Sequence, residues 1–248
     1  YDLKSHRVNN DQMIEALKHV PAGDLVLLHG CCHNPTGADL THDQWDLIAD
    51  IALERGFIPF IDTAYQGLGD GIDEDAYGMR MMADRLPEVV VASSCSKNFG
   101  LYRERTGSIT FVTNTSKQAD VVVSQAMSTA RSIYSMPPAH GALLVSMVLG
   151  DPELNRQWRS ELEEVRLRIK AMRELLCDSL AGNPAGIDFS HIKYQKGMFS
   201  FLGISSLQVE RLREEFGIYI VSSTRINLAG INSSNISHLT QSLLKVLQ

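Results

Sequence analysis

Three short apolar runs in the first hundred residues, 24–29 (DLVLLH), 57–61 (FIPFI) and 88–92 (EVVVA), each give way at once to a cluster of polar residues. Inside each run the Val, Ile and Leu are largely continuous instead of alternating with polar residues. That is the pattern of strands covered on both faces, as in a mostly parallel sheet with helices on each side. Between the runs, residues 41–55 place Trp45, Ile48, Ala49 and Ala52 at helical spacing, and residues 73–85 read as a second helix. A fourth strand is expected over 107–112 (GSITFV). Strands and helices in alternation make an α/β chain. In such sheets ligands bind at the carboxyl edge of the strands, where the polar clusters fall.

From about Thr115 the pattern turns helical, with breaks at Pro137 and Pro138 and again at Gly150, Asp151 and Pro152. Asp151 suits an N-cap with proline at the first helical position. Leu154, Trp158, Leu162, Val165, Ile169, Met172 and Leu176 then form one face of a long helix that ends at residues 182–186 (GNPAG). The tail mixes expected strands (198–202, 218–221 and 225–228) with expected helices (206–216 and 234–247). This predicts a large domain over residues 1–150 and a smaller α+β domain over 151–248.

Charge excludes one class of function. With 23 basic and 29 acidic side chains among 248 residues, the net charge is −6, opposite to the basic surplus of a nucleic-acid binder. No uncharged apolar run approaches the ~20 residues of a membrane span. Residues 1–12 (YDLKSHRVNNDQ) have no apolar run after a basic stretch, so they do not read as a signal peptide. Four cysteines, two of them adjacent, are too few for a disulfide framework, which points to a reducing cytoplasm. Tyr1 stands where an initiating Met would be, as in a processed chain or part of a longer one.

Three clusters are candidates for chemistry: His29 to Gly37, Asp62 to Gly67, and Ser93 to Asn98. His29, Cys31, Cys32 and His33 look like a metal set. However, zinc ligands usually come as two separated pairs and no second pair follows, so no metal is expected. Ser94 and Lys97 make an S-x-x-K string with Arg105, Thr106 and Gly107 close behind, which would make Ser94 an acyl-enzyme nucleophile. An S-D-N element is absent, and the third element should lie far along the chain. Gly67, Gly69 and Gly71 lack dinucleotide-binding spacing and read as a turn.

Taken together, the clusters resemble a known family. His33-Asn34-Pro35-Thr36-Gly37, Asp62-Thr63-Ala64-Tyr65, Ser94-Cys95-Ser96-Lys97-Asn98-Phe99-Gly100 and Arg105-Thr106-Gly107 follow the order and spacing of fold-type I pyridoxal-phosphate aminotransferases. Tyr134-Ser135-Met136-Pro137-Pro138, Gly197-Met198-Phe199-Ser200 and Arg225-Ile226-Asn227-Leu228-Ala229-Gly230 extend the resemblance to the aspartate and aromatic amino-acid aminotransferases over essentially the whole chain.

The resemblance implies pyridoxal phosphate as cofactor and a role for each position. Lys97 bonds the cofactor aldehyde and moves the α-proton. Asp62 keeps the pyridine nitrogen protonated, because an anion beside a cation favours the charged form. Tyr65 and Asn34 hold the ring's phenolic oxygen. Ser94, Ser96 and Arg105 take the phosphate, and Arg225 clamps the substrate α-carboxylate. Arg131 reaches across a homodimer interface to a distal carboxylate, although Met136 stands where the aspartate enzymes usually have Asn. Phe199 and Phe201 line the substrate path or the core. The implied activity is amino transfer between aspartate or aromatic amino acids and 2-oxoglutarate. Relative to the family, an N-terminal part with a phosphate-binding glycine loop and a ring-stacking aromatic is missing. The alternative for the chain as it stands is therefore an inactive fragment that only folds or associates.

Overall fold

The computed structural model describes residues 1–248. Strands β1 (Leu25–His29), β2 (Ile58–Thr63), β3 (Val89–Ser94) and β4 (Gly107–Val112) form one sheet in that order. β1, β2 and β3 run parallel and β4 pairs antiparallel with β3, so the sheet is mixed. Helices α1 (Asn10–Lys18), α2 (His42–Arg55) and α3 (Tyr77–Arg85) pack on one face. Trp45, Ile48 and Ile51 of α2 and Met82 of α3 share a core there with Ile61, Val89 and Val91.

Local chemistry sets the ends of α2. The Thr41 side chain accepts from the Gln44 N–H while the Gln44 side chain accepts from the Thr41 N–H, a reciprocal cap worth about 0.5–2 kcal/mol. Gly56 at φ +76° closes the helix in a left-handed conformation suited to glycine.

The expectation of strands covered on both faces holds for one face only. Leu25 and Leu27 are 61% and 60% exposed and Ile109 is 54% exposed, on the side opposite α1–α3. Alternate residues of β1, Val26 and Leu28, pack against the helix-side core. Both sets are apolar, so the sequence run looks the same whether one face or two are covered within the chain.

Beyond β4 come α4 (Ser116–Tyr134), α5 (His140–Gly150) and α6 (Pro152–Ser179), broken at the proline and glycine positions expected. Asp151 caps α6 by accepting from the N–H groups of Glu153 (2.8 Å) and Leu154 (3.0 Å). No residue of α4 is buried, and Val121, Met127, Ile133 and Met147 on α4 and α5 are largely exposed. The remaining elements are α7 (His191–Tyr194), β5 (Phe199–Phe201), α8 (Ser206–Phe216), β6 (Arg225–Asn227) and α9 (Ile236–Val246). β5 and β6 form a separate antiparallel pair.

Residues 218–221 are not a strand. Ile218 and Ile220 pack on the core, Tyr219 is 80% exposed, and no neighbouring strand pairs with the segment. The second core joins Leu162, Ile169 and Leu176 of α6 to Leu212 of α8 and Leu243 of α9. It also takes in Cys31, Cys32, Tyr65 and Leu68 from the loops after β1 and β2. The loops at the sheet's carboxyl edge are thereby seated against the C-terminal elements. No helix is long and apolar enough to cross a membrane.

Candidate active site

Parallel register brings the ends of β1 and β2 together: His29 pairs with Asp62, and Asp62 in turn with Ala92. Gly30 follows at once, its N–H donating to the Asp62 carbonyl at 2.8 Å, and a Cβ there would lie 2.7 Å from the Thr63 methyl. The chain then turns. Asp39, half-buried, accepts from the N–H groups of Cys32 and His33, both at 2.7 Å, and thereby fixes the approach to Asn34. Burial pushes the Asp39 carboxyl up against these two bonds.

Asn34 is the junction of the site. Its amide nitrogen donates to the Tyr65 hydroxyl at 3.4 Å, and its carbonyl oxygen accepts from Nη1 of Arg225 at 3.1 Å. The Arg225 guanidinium lies 4.8 Å from the centre of the Phe199 ring, a cation–π contact. Phe199 meets Tyr65 edge-on at 6.3 Å. On the other side, the Lys97 ammonium stands 4.6 Å from the Tyr65 ring centre. Tyr65 is 7% exposed. Burial pushes its phenol up, the Asn34 bond opposes this, and the charge of Asp62 adds to it. Asp62, Tyr65, Asn34, Lys97 and Arg225 thus form one polar group, assembled from segments nearly 200 residues apart.

The loop after β3 is held by its neighbours. The Cys95 N–H donates to the Thr106 carbonyl at 3.0 Å, and the Trp158 indole N–H donates to the Asn98 carbonyl at 2.8 Å while its ring stacks on Phe99. The Ser94 hydroxyl donates to that of Ser96 at 3.0 Å and accepts from the Ser96 N–H at 3.2 Å, so the two hydroxyls sit as a pair.

Two expected members make no hydrogen bond to these groups. Arg105, at φ +51°, is exposed and donates to the Tyr102 carbonyl at 3.0 Å. Arg131 is exposed on the last turn of α4 and joins none of these bonds. Lys97 faces Tyr65 and makes no hydrogen bond to Ser94, the partner an S-x-x-K nucleophile would use.

Cys31, Cys32 and Asp75 come within 4.8 Å of one another. The oxygens of Asp75 are already engaged by the N–H groups of Gly67 (2.8 Å), Gly69 (2.9 Å) and Asp70 (2.8 Å), so this carboxylate organises the loop after Tyr65. The Cys32 thiol is pushed well up by the neighbouring Cys31 and by burial, as in an inert buried cysteine. Sequence reading passed over Asp39, Asp75 and Trp158. Asp39 had one legible signal, a carboxylate two residues after the turn glycine, where its acceptors can reach back to turn amides. Asp75 binds amides of the loop just before it, and Trp158 reaches a carbonyl 60 residues away, a separation that no local pattern records.

An α/β chain that gathers an acid, an amine, a phenol, an amide and an arginine at the carboxyl edge of its sheet has the layout of a small-molecule site. The family model for aminotransferase class I and II matches residues 1–243, and the chain belongs to that family. Among its relatives, an aromatic-amino-acid aminotransferase of Pseudomonas aeruginosa is 45% identical over 246 residues, 99% of this chain and 62% of the relative. An aspartate aminotransferase of Escherichia coli (strain K12) is 47% identical over 247 residues, 100% of this chain and 62% of the relative. The crystal structure of an aromatic-amino-acid aminotransferase from Burkholderia pseudomallei, covalently bound to pyridoxal phosphate, superposes with a TM-score of 0.98 at 45% identity. That match covers 100% of this chain and 62% of the other. The chain therefore spans less than two thirds of the length of these relatives.

Proposed function

We propose that this chain is the catalytic part of a pyridoxal-phosphate-dependent aminotransferase. It would exchange amino groups between aspartate or aromatic amino acids and 2-oxoglutarate by a ping-pong route. The observation that carries the reading is the single network in which Lys97 stands over Tyr65 while Asn34 joins the Tyr65 hydroxyl to Arg225. Relatives of both specificities, aspartate and aromatic, match at similar identity, which supports the broad substrate class.

The donor set suits the cofactor. An anion, an amine, a phenol with its amide partner and a pair of hydroxyls match a pyridine nitrogen, an aldehyde, a ring oxygen and a phosphate. When bound, pyridoxal phosphate supplies an electron-poor ring that takes up the electron pair left at the substrate α-carbon. Asp62 holds the ring nitrogen in its protonated state. Lys97 would be the amine that holds the cofactor aldehyde and the base that moves the proton at the substrate α-carbon. The Tyr65 hydroxyl and the Asn34 amide hold the ring oxygen. The Ser94 and Ser96 hydroxyls and the Arg105 guanidinium would hold the phosphate.

Arg225, already oriented by Asn34 and by the Phe199 ring, receives the α-carboxylate in a planar two-bond geometry. Arg131 serves the distal carboxylate of a second subunit's substrate. The exposed apolar residues of α4 and α5 support a homodimer in which this reach is possible. Residues 1–150 are the cofactor-binding domain and 151–248 the smaller domain. The four unpaired cysteines suit a cytoplasmic protein.

The test is turnover by the intact polypeptide that contains this chain. With pyridoxal phosphate and 2-oxoglutarate, aspartate and phenylalanine should both be converted, and Lys97→Ala should abolish both activities. Conversion that survives Lys97→Ala would overturn the assignment.

A further inference from the structure

Arg173 lies on α6, outside the polar group described above, and is 2% exposed. It is the only buried lysine or arginine of the chain, and no carboxylate pairs with it. All of its hydrogen bonds go to backbone carbonyls. Nε donates to Gly197 at 3.0 Å and Nη1 to Ile192 at 2.9 Å, while Nη2 donates to Gly197 at 2.8 Å, Lys196 at 3.0 Å and Phe199 at 2.5 Å. Burial pulls the guanidinium down to about 10, so it stays charged at neutral pH and its field falls on those carbonyls. The Asp39 charge opposes this from nearby without a hydrogen bond. A buried charge whose hydrogen bonds all go to backbone dipoles is costly and asks for a reason.

The geometry supplies one. The carbonyls gathered by Arg173 belong to the segment that ends in Phe199, the ring beneath Arg225. The same segment meets the turn that carries Asn34. The Lys196 N–H donates to the Gly37 carbonyl at 2.8 Å, and a Cβ on Gly37 would lie 2.6 Å from the Phe199 carbonyl and 3.1 Å from Nη2 of Arg173. Turn and segment therefore interlock with the guanidinium at their centre. The Lys196 side chain adds an ion pair to Asp70, in the loop after Tyr65.

We propose that Arg173 is a positioning residue. It locks residues 192–199 onto the Asn34–Gly37 turn and so sets Phe199 and Arg225 in the geometry that accepts the substrate α-carboxylate. The proposal rests on the function assigned above. The planar fork explains the choice of residue: five N–H donors in a fixed plane reach four carbonyls at once, which an ammonium with three donors at one point does not.

The test compares the intact polypeptide that contains this chain with its Arg173→Lys variant, which keeps the charge, and its Arg173→Met variant, which keeps the stem. The first readout, hydrogen exchange without cofactor, is independent of the assigned function. Amides of residues 196–199 should exchange at least ten times faster in Arg173→Lys, while those of β1 and β2 are unchanged. The second readout uses protein loaded with pyridoxal phosphate and succinate as a carboxylate probe. The succinate Kd should rise at least ten-fold in Arg173→Lys, with cofactor attachment at Lys97 kept.

Succinate binding within two-fold of wild type in a folded Arg173→Lys protein overturns the proposal, as does unchanged exchange at residues 196–199. If Arg173→Met does not fold, Arg173→Lys combined with Phe199→Leu decides. Effects on succinate affinity that merely add would show that Arg173 does not act through Phe199. If the wild type fails to attach cofactor at Lys97, the assigned function fails, and the exchange readout still rules on the lock.

Discussion

Replacing Gly37 by alanine tests the interlock with one methyl group. Gly37 sits at φ +72°, a conformation that costs an alanine about 1–2 kcal/mol. A less flexible unfolded chain returns about 0.4–1 kcal/mol of that. The new Cβ would lie 2.6 Å from the Phe199 carbonyl oxygen and 3.0 Å from that of Lys196. Both oxygens are held by Arg173, so neither yields freely, and overpacking of this kind costs about 1–3 kcal/mol. Displacing the segment also stretches the bond from the Lys196 N–H to the Gly37 carbonyl, worth about 0.5–1.5 kcal/mol. The expected loss of stability is about 1.5–6 kcal/mol, centred near 4.

Gly23→Ala is the control. Gly23 has a similar φ of +83° with nothing within 4 Å of a Cβ, so it carries the backbone cost alone, about 1 kcal/mol or less. Urea unfolding followed by fluorescence compares the two, because Trp45 reports the core under the sheet and Trp158 the packing of α6 on the lysine loop. A Gly37→Ala protein no less stable than Gly23→Ala would refute the reasoning, since strain would then account for everything and the interlock for nothing.

Other expectations follow from the same geometry. The His33 imidazole is pulled down to about 4 by burial, with His29 adding to the effect. Because a base with a lowered native pKa binds fewer protons folded than unfolded, stability should fall as pH drops from about 6.5 to 4. A urea midpoint series shows this, and NMR titration of the ring should give the low midpoint. A His33 ring titrating near 6.5 would contradict it. Arg225→Lys keeps the charge but loses the two-bond geometry, about 1.5–3 kcal/mol, so kcat/KM should fall about 10–100-fold with cofactor binding intact. Asp75→Asn leaves one acceptor where three N–H groups now converge, and should cost about 1–3 kcal/mol in a thermal melt. An unchanged melting temperature would show that the Gly67–Asp70 loop does not depend on it.

The sequence made the chemistry of the site more legible than its architecture. β1, β2, β3 and β4 fall where apolar runs predicted them, because the apolar character of those strands is written into consecutive residues whether one face or both are covered. Asp62 lies at the end of β2 and Asn34, Tyr65 and Lys97 lie in the loops after β1, β2 and β3, so strand order brings them to one edge. Arg225 joins them from the distant β6, which motif resemblance indicated but no periodicity could. The helix α1 was missed: Met13, Ile14 and Leu17 make a thin apolar stripe, and the capping signal at Asn9 is a single side chain. Residues 218–221 have strand composition, yet a strand needs a hydrogen-bonding neighbour, and that is a property of the tertiary arrangement. Arg105 bonds the Tyr102 carbonyl and Arg131 is exposed on α4, so neither side chain is tied by a hydrogen bond to the Lys97 group. Where a long flexible arginine points is decided by its partners, and local sequence does not specify it.

The central claim is that Lys97 is the amine that bonds pyridoxal phosphate in a site assembled by this chain. Reduction with borohydride after mixing cofactor with the intact polypeptide that contains this chain, followed by mass spectrometry of the peptides, measures that most directly. The account predicts a visible absorption band before reduction and one phosphopyridoxyl group per chain, on Lys97. Labels scattered over several lysines, with no band and no preference for Lys97, would contradict it.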